Sequence, residues 1–306
     1  MSARRLSQLL LLVQAVAALL IGWALLRRGA APWAATLAGI GAVVLVRLAI
    51  NLNNFVMAAR FASATPAGFH LDLRARLRLV AEEFSASMLV SNWQIARGSA
   101  ATRIYPRSAY PPVLLLHGYG CNSGYWAHLA PLLDAARISH ATVDLEPVAA
   151  SIDDYVPLVE RSVQALCAAS GAQQVAIVAH SMGGLVARAW MRSHGRARVA
   201  RLITLGTPHH GTALASLGLG ENAAQMRRGA DWLQTLAAGE DAATRALVTS
   251  IYTHHDNIVA PQTSSELPGA RNIAFGGVGH VALGRNPRVL AEVMREISTL
   301  AEQTGR

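Results

Sequence analysis

Two long apolar runs stand at the beginning of the chain. Residues 6–26 carry no charge, and residues 31–46 form a second uncharged run that ends before Arg47. A helix of about 20 apolar residues crosses a bilayer. The first run is longer than the apolar part of a signal peptide, and the Arg27-Arg28 pair after it is not a cleavage site. The pattern predicts a two-helix transmembrane hairpin within residues 1–54, and the alternative is a pair of buried core helices.

A helical period follows the apolar runs. Apolar residues recur at steps of three to four at Leu73, Leu77, Val80, Phe84 and Met88. This spacing predicts an amphipathic helix over 71–95, inside a connecting region that spans 55–108. The helix is expected to pack on the domain that follows, and the alternative is that it lies along a membrane surface.

From residue 109 onward, short apolar strands alternate with helices. The predicted strands are 112–116, 140–144, 174–179, 201–205, 247–252 and 271–275, and the predicted helices are 126–136, 154–169, 183–194 and 287–301. Such alternation is typical of a mostly parallel sheet with helices on both faces. The predicted fold class is therefore α/β, with one catalytic domain over 109–306.

One segment, at about 213–245, interrupts this alternation. It is predicted to form a small cap over the carboxyl edge of the sheet, and a plain surface helix is the alternative. Four large apolar residues are candidates for shaping a pocket there: Met226, Trp232, Leu233 and Leu236.

A serine lies in a sharp turn between a buried strand and a helix. The apolar run 175–178 leads into Ala179-His180-Ser181-Met182-Gly183-Gly184, and a helical pattern begins there. A strand, a turn bearing serine and a helix are the context of a nucleophile elbow, whose tight turn requires small residues around the serine. Ala179, Gly183 and Gly184 meet that requirement. Ser181 is the predicted nucleophile.

A serine hydroxyl needs a histidine to take its proton, and the histidine needs a carboxylate to orient it. On this type of sheet their order along the chain is serine, acid, histidine. Asp256 follows the strand 247–252, and His280 lies in a glycine-rich loop after the strand 271–275. These two residues are the predicted acid and base. Three other aspartates fit less well, because the first precedes the serine and the others fall in the cap: Asp144, Asp231 and Asp241.

The negative oxygen of a tetrahedral intermediate is held by backbone N–H groups. One predicted donor is Met182, which opens the helix after the nucleophile. The second is Tyr119, in the loop after the strand 112–116, where Gly118 and Gly120 allow a tight turn.

Adjacent histidines at 209 and 210 raise the question of a metal. Neighbouring residues on an extended segment point in opposite directions, and no H-x-x-x-H pattern supports the pair. No metal site and no cofactor is predicted. His254 and His255 precede Asp256 on the acid loop and do not suit the role of base.

Together these motifs resemble the α/β-hydrolase superfamily, and within it the bacterial lipases and esterases. The resemblance covers about 110–300 and rests on residues 116–120, 179–184, the Gly-Thr-Pro-His-His-Gly-Thr run at 206–212, Asp256 and Gly279-His280. The A-x-S-x-G form of the elbow resembles small Bacillus-type lipases. In those enzymes the residue after His-Gly supplies the second oxyanion amide, which implies Tyr119 here.

The formal net charge of +9 comes entirely from arginine, since the chain has no lysine. With abundant alanine, this indicates codon bias rather than a nucleic-acid surface. Arginines near the apolar runs suit anionic lipid headgroups.

Two cysteines, Cys121 and Cys167, do not imply a disulfide. Two membrane spans place both ends of the hairpin on the same side of the membrane. That side has more arginines than the hairpin turn, and cytoplasmic segments carry the excess of positive residues, so the sequence predicts a membrane protein with a cytoplasmic catalytic domain.

The resulting hypothesis is a membrane-anchored hydrolase that cleaves a lipid or fatty-acyl ester through an acyl-serine. The same triad would also serve an acyl thioesterase or an acyltransferase. A different class of function is a non-catalytic, membrane-tethered binding module that keeps the hydrolase fold. The sequence predicts neither the acyl-chain length nor the oligomeric state.

Overall fold

A seven-stranded sheet forms the centre of the protein in a computed structural model that describes residues 1–301. The strand order is β1-β3-β2-β4-β5-β6-β7, and only the β1–β3 pair is antiparallel. The mostly parallel α/β fold predicted from the sequence is therefore confirmed. The strands are β1 (Thr102–Arg103), β2 (Val113–Leu116), β3 (His140–Val143), β4 (Val175–His180), β5 (Val199–Leu205), β6 (Val248–Thr253) and β7 (Arg271–Phe275).

Helices precede the sheet and cover it. They are α1 (Ala3–Arg27), α2 (Pro32–Arg60), α3 (Leu73–Leu89), α4 (Ile95–Arg97), α5 (Ala130–Ala135), α6 (Val156–Ser170), α7 (Met182–His194), α8 (Glu221–Gln225), α9 (Asp231–Ala238), α10 (Ala242–Ala246) and α11 (Pro287–Ser298). A π-helical turn, Val90–Gln94, joins α3 to α4. Short 3₁₀ turns occupy Ala67–Phe69, Ser123–His128, Asp153–Tyr155, Ala213–Leu217, Gln262–Ser265 and Val281–Gly284.

Each face of the sheet has its own hydrophobic core. In β2, Leu114 and Leu116 pack on one side with Trp190 of α7, while Val113 and Leu115 pack on the other with Trp126. Successive strand residues point to opposite faces, so a strand covered on both sides is apolar throughout. This is why β2 and β4 read as continuous apolar runs. The two cores hold the carboxyl edge of the sheet rigid, and the functional loops leave from that edge.

The helices α1 and α2 form an antiparallel hairpin and are long and apolar enough to cross a membrane. Small residues let their backbones approach closely, since a Cβ on Gly39 would lie 2.3 Å from the Ala18 carbonyl oxygen. The first turn of α1 packs on the domain that contains the sheet, where the Ala3 N–H donates to Glu146 Oε1 at 3.0 Å. The hairpin is thus attached to the domain at its base.

The connecting helix buries a different stripe from the predicted one. Its buried positions include Leu79, Glu83 and Ala86, whereas Leu73 and Leu77 are exposed. The helix does pack on the domain that contains the sheet, but it does so around the carboxylate of Glu83. The hydrophobic period misplaced the face because a buried glutamate reads as a solvated position.

One boundary and the positions of three cap residues also differ from expectation. The sheet begins with β1 at Thr102, before the expected domain start at 109, because a two-residue exposed edge strand leaves no alternation to detect. Within the cap, Met226 lines the cavity described below. Leu233 and Leu236 instead pack into the core beside α7, and the Trp232 indole N–H donates to Asp153 Oδ2 at 2.7 Å.

Candidate active site

Ser181 occupies the turn between β4 and α7. Its φ of 52° and ψ of −124° lie in a region that non-glycine residues rarely adopt, and such strain persists only where the surroundings enforce it. The Ser181 N–H donates to the Leu205 carbonyl at 2.8 Å, which ties the turn to the end of β5. The serine therefore lies at the positive end of the α7 dipole, on a backbone shaped like a nucleophile elbow.

The two glycines after the serine permit close packing of α7 against neighbouring loops. A Cβ on Gly183 would lie 2.5 Å from the Leu116 carbonyl oxygen, and one on Gly184 would lie 2.1 Å from Thr207 Oγ1. The Thr207 hydroxyl in turn donates to the Ser181 carbonyl at 2.9 Å. Any larger side chain would push the elbow away from the strand ends.

Asp256 and His280 form a buried acid–base pair. His280 Nδ1 and Asp256 Oδ2 are 2.8 Å apart, and the two residues are only 5% and 3% exposed. The other carboxylate oxygen, Oδ1, accepts from the N–H groups of Ile258 and Val259 at 2.8 and 2.7 Å. Asp256 is therefore fixed beyond the end of β6, with one oxygen aimed at the imidazole.

The imidazole is held in one tautomer. With Nδ1–H donated to Asp256, Nε2 is left to accept a proton. The His280 N–H donates to Asn257 Oδ1 at 3.0 Å, which orients the backbone of the loop. Burial alone lowers the pKa of His280, but the charge and hydrogen bond of Asp256 and the charge of Glu83 raise that pKa above its ordinary value overall.

The elbow directly contacts the loop 276–280, which follows β7 and carries His280 and is called the histidine loop below. His180 Nε2 lies 3.2 Å from the His280 carbonyl oxygen, and the two imidazole rings are 4.7 Å apart. Gly206, after β5, leaves room for the pair, since a Cβ there would come within 3.3 Å of His280 Nδ1. Ser181, Asp256 and His280 thus follow the carboxyl ends of β4, β6 and β7, respectively.

The loop after β2 runs past the serine. A Cβ on Gly118 would lie 3.0 Å from the Ser181 Cβ, and Gly120 has a φ of 64°. Both glycines are therefore needed for the path of this loop. Between them, Tyr119 lines the same cavity as Ser181.

A cavity of about 250 Å³ opens at Ser181. One wall is Tyr119, and Asn54 of α2 contributes to another. The remaining lining is mostly apolar and comes from the loop after β5, the cap and the acid loop: Pro208, Thr212, Leu214, Ala215, Leu217, Gly218, Ala223, Met226, Ile258 and Val259. A larger cavity of about 620 Å³ lies at the amino ends of the strands, beside Pro112, Gln174 and Val199. Ligands of open α/β sheets bind at the carboxyl ends, so the smaller cavity is the candidate site.

The rival acids have other structural roles. Asp144 Oδ1 accepts from the Ser123 N–H at 2.8 Å, and Asp241 caps α10 by accepting from the Thr244 N–H at 2.7 Å. Asp231 lies in the first turn of α9.

The paired histidines at 209 and 210 diverge. His209 is buried beside Arg188 and Thr204, whereas His210 Nε2 lies 3.0 Å from the Glu266 carbonyl oxygen. Burial lowers the pKa of His209 well below its ordinary value. Across residues 1–301, no cluster of three or more histidine, cysteine, aspartate or glutamate side chains has the geometry of a metal site.

Three residues near the site were missed by the sequence analysis. Asn257 positions the His280 backbone, Asn54 brings α2 to the cavity, and Glu83 lies against the histidine loop. Asn257 follows the acid directly, which was its only signal. The other two are polar residues of N-terminal helices, and no motif connects them with the site.

Comparison with known proteins agrees with this geometry. Residues 111–232 match a family model described as the alpha/beta hydrolase fold. The lipase BlEst2 of Bacillus licheniformis, in its mature form, is similar over 65% of this chain and 97% of that chain, with a TM-score of 0.58 and 19% sequence identity. Lipase B of Aspergillus fumigatus is similar over 65% of this chain and 56% of that chain, with a TM-score of 0.56 and 20% identity.

The chain thus has the α/β-hydrolase fold. The identities are low, so the likeness to the two lipases shows the fold. The similarity to the Aspergillus lipase spans little more than half of that chain. The chemistry has to be argued from the site.

Proposed function

We propose that this protein is a membrane-anchored serine hydrolase that cleaves carboxylic esters of fatty-acyl chains. The observation that carries the proposal is the hydrogen bond between Asp256 and His280, on a loop that contacts His180 next to the elbow serine, which itself lines an apolar cavity. An oriented imidazole next to a strained serine is the arrangement that activates a hydroxyl.

In the proposed reaction, His280 takes the proton of Ser181 as the serine oxygen attacks the ester carbonyl. The N–H groups of Tyr119 and Met182 hold the oxyanion, an effect typically worth about 3 kcal/mol per donor. His280 then gives its proton to the leaving alcohol, and an acyl-serine remains. Water, deprotonated by the same imidazole, attacks the acyl carbon and releases the fatty acid and free Ser181.

Asp256 orients the imidazole and stabilises the imidazolium in both halves of the reaction. The two amides that bind its other oxygen prevent it from turning away. No cofactor enters this scheme, because the residues named supply every proton transfer.

The cavity supports an acyl substrate presented by a membrane. Its lining is mostly apolar, and α2 itself contributes Asn54. Both elements also expose apolar side chains, among them Ile50 and Val56 of α2 and Leu217 and Leu219 of the cap. Exposed apolar surface of this kind suits an interaction with lipid or with another apolar surface.

The anchor is proposed to remain part of the working protein. Beyond the Ala3 contact with Glu146, the Val148 N–H donates to the Met1 carbonyl at 3.3 Å, and Ser7 Oγ donates to the Ser91 carbonyl at 2.7 Å. These contacts favour a retained helix over a removable leader. The excess of arginines on the side of both helix ends supports a cytoplasmic catalytic domain.

The test is a substrate panel on the detergent-solubilised full chain. We expect hydrolysis of p-nitrophenyl esters over a series of acyl-chain lengths, and no hydrolysis by Ser181→Ala. Acyl thioesters and added alcohol acceptors separate a thioesterase or an acyltransferase from an esterase. Absence of turnover on all of these acyl donors by the folded protein would contradict the proposal.

A further inference from the structure

Glu83 is a fully buried carboxylate that α3 brings to the catalytic loop. It is 0% exposed, and its partners are backbone amides rather than a cation. Oε1 accepts from the Val281 N–H and Oε2 from the Ala282 N–H, both at 2.9 Å. These are the first two residues after His280, and they open the 3₁₀ turn 281–284.

Two consecutive amides at the start of a helical turn attract a carboxylate. Because both oxygens accept from N–H groups, the ionised form fits the site, and it offsets part of the cost of burial. Burial raises the pKa of Glu83 above its ordinary value overall, and the charge of Asp256 adds to this, while the two amide bonds and the nearby His280 act in the opposite direction.

The histidine loop is built to admit this carboxylate. A Cβ on Gly279 would lie 2.4 Å from Glu83 Oε2, so only glycine allows the contact. The loop also touches the segment before α3, where a Cβ on Gly276 would lie 2.8 Å from Phe69. The connecting region therefore covers the loop that carries His280.

The acid loop is tied to the same region. Ser63, after the end of α2, donates its N–H to Gln262 Oε1 at 3.1 Å, and Gln262 Nε2 donates to the Asp256 carbonyl at 2.9 Å. Phe69 also packs on the ring of His254, with centroids 4.6 Å apart. Both catalytic loops are thus held by chain that lies outside the hydrolase domain predicted from the sequence.

We propose that Glu83 is a positioning residue, which fixes the backbone after His280 and places a second negative charge beside the imidazole. The proposal rests on the proposed function, since it assigns Glu83 a role in the same reaction. Asp256 orients the ring from one side, and Glu83 holds the loop from the other. The connecting helix is then part of the catalytic unit and not merely a link to the anchor.

The groups that face His280 are two carboxylates, Asp256 and Glu83, one imidazole, His180, and the phenol of Tyr125, which stacks on His180. Burial lowers the pKa of His180 well below its ordinary value and raises that of Tyr125, so both are neutral near pH 7. The two carboxylates are therefore the charges that favour the imidazolium. Removal of the charge of Glu83 has to lower the pKa of His280.

The test compares Glu83→Gln with Glu82→Gln in the solubilised full chain. Glu82 is the exposed neighbour on the same helix, so its change controls for the loss of one charge. A glutamine at 83 keeps one acceptor and turns its NH₂ toward the second amide, which displaces the loop. We expect kcat on a soluble ester to fall by about 10- to 100-fold, with KM within about twofold of wild type. The acid limb of the pH profile of kcat/KM should move to lower pH by about half a unit or more.

Both effects are required. A fall in kcat with an unmoved acid limb would mean that Glu83 has only a structural role. A Glu83→Gln protein with the kcat and the pH profile of wild type would mean that Glu83 has no role in the reaction. Either result contradicts the proposal. If Glu83→Gln does not fold, Gly279→Ala decides, because its methyl group displaces the carboxylate without removing it. A Gly279→Ala protein with wild-type kcat would overturn the proposal.

Ser181→Ala measured in parallel separates the two proposals. If wild type hydrolyses the ester, Ser181→Ala does not, and Glu83→Gln equals Glu82→Gln, the positioning role alone fails. If wild type has no activity, the proposed function fails first.

Discussion

Tyr119 and Leu219 are joined by two hydrogen bonds at the edge of the active-site cavity. The Tyr119 hydroxyl donates to the Leu219 carbonyl at 2.7 Å and accepts from the Leu219 N–H at 3.0 Å. The backbone of Tyr119 belongs to the proposed oxyanion loop, while Leu219 belongs to the cap. One residue thus connects the proposed oxyanion loop with the segment that lines the cavity.

Replacement of Tyr119 by phenylalanine should loosen the cap and spare the chemistry. The backbone N–H of residue 119 remains, but both hydrogen bonds to Leu219 are lost. At about 0.5 kcal/mol for each of these two partly exposed hydrogen bonds, KM for a long-chain ester should rise about fivefold with little change in kcat. Tyr110→Phe, at the opposite end of β2, is the matched control. A fall in kcat with unchanged KM would contradict this view of the cap.

The pH dependence of activity should report the raised pKa of His280. An imidazolium cannot accept the serine proton, so kcat/KM falls as the pH drops through that pKa. The acid limb should therefore lie above the ordinary imidazole value of about 6.5. The measurement is a pH–rate profile with a soluble ester.

Asp256→Asn should both lower the activity and move the acid limb of the pH profile of kcat/KM. The substitution removes the charge that raises the His280 pKa, so the limb moves to lower pH, and kcat/KM should fall by about 10⁴-fold as the imidazole loses its tautomer. Asp231→Asn, at an exposed rival position in the cap, should match wild type. Equal activities of the two variants would refute Asp256 as the orienting acid.

The buried ion pair between Arg188 of α7 and Glu240 should matter for stability. Arg188 Nε and Nη2 donate to the two carboxylate oxygens at 2.6 and 2.8 Å, and both side chains are almost fully buried. Glu240→Gln leaves the guanidinium without its counter-charge and should lower the free energy of unfolding by about 3 kcal/mol. Arg196→Gln, which breaks an exposed pair with Asp241, should alter the unfolding curve little. Similar shifts in the thermal unfolding temperature of the two variants would show that burial does not determine how much each ion pair contributes to stability.

The elbow should not tolerate a methyl group at Gly183. The added Cβ would meet two carbonyl oxygens, those of Leu116 and His117, at 2.5 and 2.6 Å, and backbone cannot rotate aside. We expect Gly183→Ala to lose about 1–3 kcal/mol of stability and most of its esterase activity. Gly68→Ala, where a Cβ meets nothing within 4 Å, is the control. An active, stable Gly183→Ala protein would mean that the turn relaxes more easily than its packing indicates.

The sheet and the acid–base pair were accessible from the sequence because each has a local signature. Buried strands such as β2 and β4 are continuous apolar runs, and the elbow needs small residues on both sides of Ser181. The order of Ser181, Asp256 and His280 follows from the topology of the sheet, so their placement after the carboxyl ends of β4, β6 and β7 was predictable.

The remaining parts depend on contacts between distant segments. Glu83 is separated from the amides that it binds by almost two hundred residues, and the hydrophobic period assigned its position to solvent. The Tyr119 hydroxyl finds a backbone partner one hundred residues away. Side-chain bonds to backbone amides carry no residue-type signal at the amide, which is why sequence patterns do not reveal them.

Covalent labelling with a fluorophosphonate tests the central claim most directly, because the probe reacts only with an activated serine. The folded, solubilised wild-type chain should be labelled at Ser181, as located by peptide mass spectrometry, whereas Ser181→Ala and His280→Ala should remain unlabelled. A folded wild-type protein that stays unlabelled, or that carries the label on another residue, would contradict the account.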